Sequence, residues 1–361
     1  MADATCAGCG CVCDDIEVTA DGLVRTCALG DRWFAERTGD RPPVARVDGR
    51  EVSLDEAADA AAGILSAARA PLVYGLGQTS CEAQRRAVAL AEAAGAVIDV
   101  GAANDAYAAI GSSTATFGEI RDRAELVVVW RADPVVTNPR LLERLRLDPS
   151  AMIVVDSERT ATAEAAGTFV EVHDDFEALW ALRGGETGPL ADRILAAGHV
   201  AFIHGALDEL TALALLSLVR DLARDRHAVT LGLRGDGNAR GAEDVLAWQT
   251  GFAATVDFAR GFPREAPGAA KLLERGEVDA ALVVAAGPIA ALPRDLPTVV
   301  IDSRATAMSR AARVAFATAA DGIEVAGTAH RMDGVPVPLR APLPSDRPST
   351  VDVLAAIGER L

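Results

Sequence analysis

Leu126-Val127-Val128-Val129-Trp130-Arg131-Ala132-Asp133-Pro134 is an apolar run that stops at a Pro turn, and the chain repeats it as Leu282-Val283-Val284-Ala285-Ala286-Gly287-Pro288. Each run is short, rich in valine and closed by a turn, which reads as a strand buried on both faces. A crossover follows each, then a second run: Met152-Ile153-Val154-Val155-Asp156-Ser157 in one copy and Thr298-Val299-Val300-Ile301-Asp302-Ser303 in the other. A third apolar stretch comes near Phe169 and near Phe316. Residues 124–172 and 279–318 are thus two copies of one α/β unit. Ligands of such sheets bind beyond the carboxyl ends of the strands. That makes Ala132-Asp133-Pro134, Asp156-Ser157, Ala286-Gly287-Pro288 and Asp302-Ser303 candidate pocket positions, with ordinary turn chemistry as the competing reading of each Asp.

Outward from the repeats, residues 54–69 read as an Ala-rich helix with Ser53 and Glu56 as a capping box. Pro71-Leu72-Val73-Tyr74-Gly75 reads as a strand, residues 81–94 as a helix opened by Thr79-Ser80, and Ala96-Val97-Ile98-Asp99 as a second strand, a further βαβ unit. Val200-Ala201-Phe202-Ile203-His204 and Ala228-Val229-Thr230-Leu231 add two strands between the copies. The loop Arg234-Gly235-Asp236-Gly237-Asn238-Ala239-Arg240-Gly241 holds three glycines and three charges in eight residues, which is costly to order without a reason. Residues 250–264 read as a loop, and 327–336 as a turn between short strands.

The 361 residues suffice for two or three domains, and half of them are hydrophobic. A net charge of −17 argues against nucleic acid as a partner, because phosphate binding needs clustered cations. No apolar run reaches the length of a membrane span, and no charged n-region leads into an apolar h-region, so the expected setting is cytoplasmic. Lys271 is the only lysine and sits in no lysine-based motif. The five histidines form no zinc motif, and neither a nucleophile elbow nor a Walker loop is present. His204, at a strand end, reads better as a satisfied structural histidine than as a pocket residue.

Five of the six cysteines fall in the first 27 residues. Cys6-Ala7-Gly8-Cys9 is a C-x-x-C pair, Cys13 follows, and Cys27 comes after a hairpin-like run. Four thiolates at this spacing suit an iron–sulfur cubane or a zinc ion, or are the relic of such a site. Gly8 and Gly10 are expected to let the backbone turn around the centre, and Cys11 is left over.

Longer motifs carry a resemblance. Cys6-x-x-Cys9-x-x-x-Cys13-Asp14-Asp15, Cys81-Glu82-Ala83-Gln84, Thr250-Gly251-Phe252, Val256-Asp257-Phe258, Arg275-Gly276-Glu277-Val278-Asp279-Ala280 and Gly327-Thr328-Ala329-His330-Arg331-Met332-Asp333-Gly334-Val335-Pro336 resemble the B subunits of formylmethanofuran dehydrogenase, a family of the molybdopterin oxidoreductase superfamily. The resemblance covers nearly the whole chain. It implies a small N-terminal cysteine-rich module over 1–50 and two nested Rossmann-like α/β domains, one discontinuous over 51–110 and 198–361, the other inserted at 111–197. It also implies a [4Fe–4S] cluster on Cys6, Cys9, Cys13 and Cys27, and a tungsten or molybdenum bis-pterin pocket.

The departures fall in that pocket. Asn104 stands where the family has its metal-ligating cysteine and Asp105 where it has a histidine. An amide is a poor ligand for tungsten or molybdenum. The family's Arg-Gly-His-Tyr-Asn becomes Arg234-Gly235-Asp236-Gly237-Asn238, and Gly-Cys/Ser-Asn-Pro becomes Arg131-Ala132-Asp133-Pro134. With Asp156, these positions are expected to form a vestigial pocket or a cofactor-binding site, and no pterin metal is expected. The pattern resembles the beta subunit of bacterial formyltransferase/hydrolase complexes. Those complexes move a formyl group from tetrahydromethanopterin to methylofuran and hydrolyse it to formate in formaldehyde oxidation. The resemblance implies a non-catalytic subunit of an enzyme complex, a scaffold or methylofuran holder. Its implied partners are a zinc hydrolase alpha subunit, a formyltransferase subunit and a gamma subunit. Arg131, Arg234 and Arg240 are then candidate contacts for a polyglutamate tail. The alternative is a catalytic tungsten or molybdenum formylmethanofuran dehydrogenase subunit.

Overall fold

The computed structural model describes residues 2–39, 41–101, 106–287 and 292–361, with the side chains of 108 and 109 left aside. The chain is α/β and divides into two compact units, Met1–Ala102 with Asp236–Arg331 and Pro336–Leu361, and Ala103–Gly235 with Met332–Val335.

In the first unit, five parallel strands lie in the order Val97–Asp99, Pro71–Gly75, Ala280–Val284, Thr298–Asp302, Val314–Ala317, which is 2-1-3-4-5 in chain sequence. Thr255–Asp257 and Arg264–Glu265 extend one edge antiparallel, and Ala45–Val47 and Arg50–Glu51 the other. The first pair lies in the segment expected to be a loop; strands of two and three residues are too short to show a period-two pattern. The second pair belongs to the main sheet, which takes the chain up at Ala45, short of the expected boundary at residue 50. What precedes is a three-stranded antiparallel sheet, Ala2–Cys6, Cys13–Thr19 and Gly22–Val24, followed by the helix Ala28–Thr38. Small side chains let helices lie close on the main sheet: Ala57, Ala58, Ala61 and Ala62 of Leu54–Ala67 and Ala83, Ala87 and Ala91 of Cys81–Ala93 are all buried. Ser53 caps the first of these through Glu56 N at 3.1 Å, the expected forward half of the box.

The second unit is a five-stranded parallel sheet in the order Thr168–Glu171, Ile153–Asp156, Leu126–Trp130, His199–His204, His227–Gly232, or 3-2-1-4-5 in chain sequence. Its core gathers Val128, Trp130, Ile153, Val155, Val200 and Phe202 with Leu215 and Val219 of the helix Glu209–Leu222. The expected insert of 111–197 is therefore too short. Residues 198–235 belong to this sheet, because His199–His204 pairs in register with Leu126–Trp130.

The repeat holds down to single hydrogen bonds. Arg131 N donates to Val155 O at 3.0 Å, and its counterpart Ala285 N to Ile301 O at 2.8 Å. Both residues are left-handed, at φ 48° and 42°. Val172 N donates to Asp156 O in one copy and Thr318 N to Asp302 O in the other. A glycine closes the neighbouring strand each time. A Cβ on Gly205 would lie 2.1 Å from Arg131 O, and one on Gly75 2.6 Å from Val284 O and 2.5 Å from Ala286 Cβ.

Candidate functional site

The cysteines converge at the foot of the first helix. Cys6 faces Cys13 across the hairpin, Cys27 is the N-cap of Ala28–Thr38, and a Cβ on Gly30 would lie 3.2 Å from Cys6 Sγ and 3.8 Å from Cys27 Sγ. Burial pushes the Cys6 thiol far up, Gly8 N–H donation opposes it, and Cys13, Cys9 and Cys27 add to the rise. A buried thiol crowded by three others is a donor that a cationic centre would relieve. Among the described residues no group of three or more His, Cys, Asp or Glu is arranged to hold a metal ion. The glycines do not serve as expected. The left-handed residue is Val12, at φ 38°, and Gly8 is there for space, since a Cβ would lie 2.9 Å from Leu29 Cδ2 and 3.1 Å from Trp33 Cβ.

The turn after Pro71–Gly75 is Gly75-Leu76-Gly77-Gln78-Thr79-Ser80, leading into the helix Cys81–Ala93, with Asp99 ending the next strand. Strand, G-x-G-x-x-small turn, helix and a following acid are the signals of a diphosphate-accepting turn. A reading for apolar runs passes over this motif, although its glycine spacing is visible in the chain. The second glycine of such a turn lets a diphosphate approach the backbone. Here a Cβ on Gly77 would lie 2.8 Å from both Cβ and Oδ2 of Asp236. The close-approach space of this turn is therefore occupied by the chain's own carboxylate, which a phosphate placed there would meet. Gln78 Nε2 donates to Asp236 Oδ1 at 2.7 Å, while Gln78 Oε1 accepts from Trp33 Nε1 and Arg37 Nη2, each at 3.0 Å. Asp99 accepts from Gly101 N at 2.7 Å and Ala269 N at 2.6 Å.

Asn238 is buried and joins three segments. Its Nδ2 donates to Thr79 O at 2.7 Å and Thr328 O at 3.4 Å, and its Oδ1 accepts from His330 N at 2.7 Å. Arg240 Nε donates to Asp244, which also meets His330 Nδ1 at 2.7 Å. Thr328 donates through its N–H and its hydroxyl to Glu82, both at 2.9 Å. Cys81 stays a thiol: burial raises it to about 11 against the pull of Asn238.

Asp321 lies buried against Ser80, with its Oδ1 unpartnered. Burial pushes its carboxyl up to about 6 from 3.8; Ser80 pulls down, Glu82 pushes up, and Arg37 pulls down. The folded chain then binds a proton that the unfolded chain has released, so stability falls as pH rises from 3.8 to about 6 and stays low above. Asp321→Asn should remove a pH-dependent part of stability on the order of 2–3 kcal/mol. Urea unfolding at pH 4 and pH 7 checks this, the expected result being a wild-type-to-variant difference that changes between the two.

In the second unit the candidates turn inward. Arg131 Nε donates to Asp175 at 2.9 Å, Nη1 to Asp156 at 3.0 Å and Nη2 to Val172 O at 2.8 Å. Burial lowers the Arg131 pKa, but Asp175 and then Asp156 outweigh it. Its guanidinium is thus held by partners inside the unit, and Arg240 Nε is engaged by Asp244. Asp133 Oδ1 accepts from Thr162 N at 3.0 Å, a contact 29 positions along the chain rather than a local turn. Arg234 Nη1 donates to Leu233 O at 3.3 Å and lies against His204. His204 is the satisfied histidine expected: Nδ1 donates to Gly205 O and Nε2 accepts from the Tyr107 hydroxyl, both at 2.8 Å, and burial lowers its pKa to about 4. Asn104, Asp105 and Pro288 lie outside the described residues. Among the described residues no helix is long and apolar enough to cross a membrane.

No family model matches the chain. The B subunit of the tungsten-containing formylmethanofuran dehydrogenase 2 of Methanocaldococcus jannaschii is 32% identical, over 93% of this chain and 92% of that protein. The corresponding protein of Methanococcus maripaludis is 31% identical over the same shares. The B subunit of the formyltransferase/hydrolase complex Fhc of Methylorubrum extorquens is 30% identical over 68% of this chain and 75% of its own. A chain in the crystal structure of that organism's complex FhcABCD with methylofuran superposes with a TM-score of 0.75 at 26% identity, covering 88% of this chain and 98% of that one.

Proposed function

The chain belongs to the family of formylmethanofuran dehydrogenase B subunits, and from that premise we propose that it is a non-redox subunit of a formyltransferase/hydrolase complex in one-carbon metabolism. One observation carries this reading: the Asp236 carboxylate occupies the close-approach space of the Gly75–Ser80 turn, which has the pattern of a diphosphate-accepting turn. Asn104, in place of a thiolate, agrees with it on donor chemistry. The strand orders 2-1-3-4-5 and 3-2-1-4-5 support two nested Rossmann-like domains of the molybdopterin-oxidoreductase pattern. The expected partners are a zinc hydrolase, a formyltransferase subunit and a gamma subunit, in the cytoplasm, with methylofuran bound by the assembly; the complex of Methylorubrum extorquens supports this.

A [4Fe–4S] cluster would be held by Cys6, Cys9, Cys13 and Cys27. Such a group supplies electron transfer, but here its main effect would be to crosslink a segment with little core of its own, so that metal binding becomes folding free energy. Cys27→Ala should then leave residues 2–39 sensitive to protease while Cys11→Ala does not, read by limited proteolysis beside iron and sulfide assays on anaerobic protein.

A tungsten or molybdenum dehydrogenase subunit is the second reading, favoured by the wider coverage of the match to the tungsten enzymes, 93% against 68%. Elemental analysis of the native complex, captured through a tag on this chain, decides between them. Hydrolase and transferase subunits without tungsten or molybdenum are the expected result; stoichiometric tungsten or molybdenum would overturn the first reading.

A further inference from the structure

We propose that Asp236 is an internal anion, standing where a phosphate ligand would sit in the turn Gly75–Ser80 and closing the first unit against such ligands. The inference rests on the non-redox reading and adds the residue that enforces it at this turn. Several parts of the turn that could greet a diphosphate are met from within. The close-approach position, Gly77, has Asp236 Oδ2 in the space a Cβ would take. The Gln78 amide turns to Asp236. Asp99, the acid placed to take a ribose, is spent on two backbone N–H groups. At the helix entrance Ser80 faces Asp321, so an incoming anion would meet a second acid.

The cations fit the same account. Arg37 is buried, and its pKa is lowered to about 10 by burial first and by Arg304 next. Arg304, in turn, feels Asp302, Glu36 and Asp236. Two guanidinium groups are thus near enough to repel, and Asp236 is one of the charges that offset Arg304. Removing it leaves a glycine-lined space with less compensated positive charge, which suits a small polyanion.

The test is calorimetric titration of inorganic pyrophosphate into the full chain, as wild type, Asp236→Gly and Asp236→Asn. Wild type is expected to bind weakly. Asp236→Gly, which removes both bulk and charge, should bind at least tenfold more tightly, with an affinity that falls as salt rises. Asp236→Asn, which keeps the side chain's volume, should lie between them. It also carries the test alone if the glycine variant does not fold. Equal binding by wild type and the variants, or no gain in any folded variant, overturns the proposal. Neither result depends on metal content or on partner subunits, so the non-redox reading can fail or stand separately.

Discussion

Asn238→Ala is expected to lower stability by about 3–5 kcal/mol and to loosen the Gly327–His330 strand first. The loss follows from counting partners. With the amide gone, the buried His330 N–H loses its acceptor and Thr328 O loses a donor. Thr79 O keeps Gln84 Nε2, at 3.3 Å, and loses the shorter bond from Asn238. Each buried polar group left unmade costs about 1–3 kcal/mol, more than an ordinary hydrogen bond contributes net. Asn238→Asp keeps an acceptor for His330 N but loses both donors and brings a charge into a buried site, so it should rescue little. Urea unfolding gives the magnitude. Hydrogen exchange at His330 N–H locates it, and an unchanged exchange rate in the alanine variant would contradict the assignment.

Gly205→Ala should cost about 3 kcal/mol, at the upper end of overpacking effects. The added Cβ would stand 2.1 Å from Arg131 O, and neither strand can yield alone. Arg131 N is bonded to Val155 O, its guanidinium is held by Asp175 and Asp156, and Gly205 N donates to Trp130 O. Gly63→Ala is the contrast. Gly63 lies in the helix Leu54–Ala67, and nothing stands within 4 Å of its would-be Cβ. That change should stabilise by about 0.5–1 kcal/mol, the ordinary gain of alanine over glycine in a helix. Opposite signs for the same substitution, read by thermal unfolding, would show that space at the strand end decides the outcome.

Much was legible in the chain as a string. The two valine-rich runs ending in Pro announced parallel strands, because a short apolar run closed by a turn is the local signature of a strand buried on both faces. Their duplication announced two α/β units, and the correspondence of Arg131 with Ala285 survives in backbone angle and hydrogen bond. The cysteine spacing and the long motifs led to the family, since both are contiguous patterns.

Pairing and encounter were not legible. His199–His204 is as apolar as any other strand here, and only its alignment with Leu126–Trp130 assigns it to the second unit. The Asp of Arg234-Gly235-Asp236-Gly237-Asn238 could be read as one more pocket acid. That it bonds Gln78, 158 positions away, and fills the space beside Gly77 follows from how the first unit packs. Arg131 and Asp133 likewise read as pocket groups, and the fold turns both to internal partners. The sequence by itself determined the α/β class, the repeat and the family, because those rest on periodicity and contiguous motifs. The tertiary structure alone decided where the units divide and which acid closes which turn, because contacts between distant residues arise from packing and leave no local pattern in the chain.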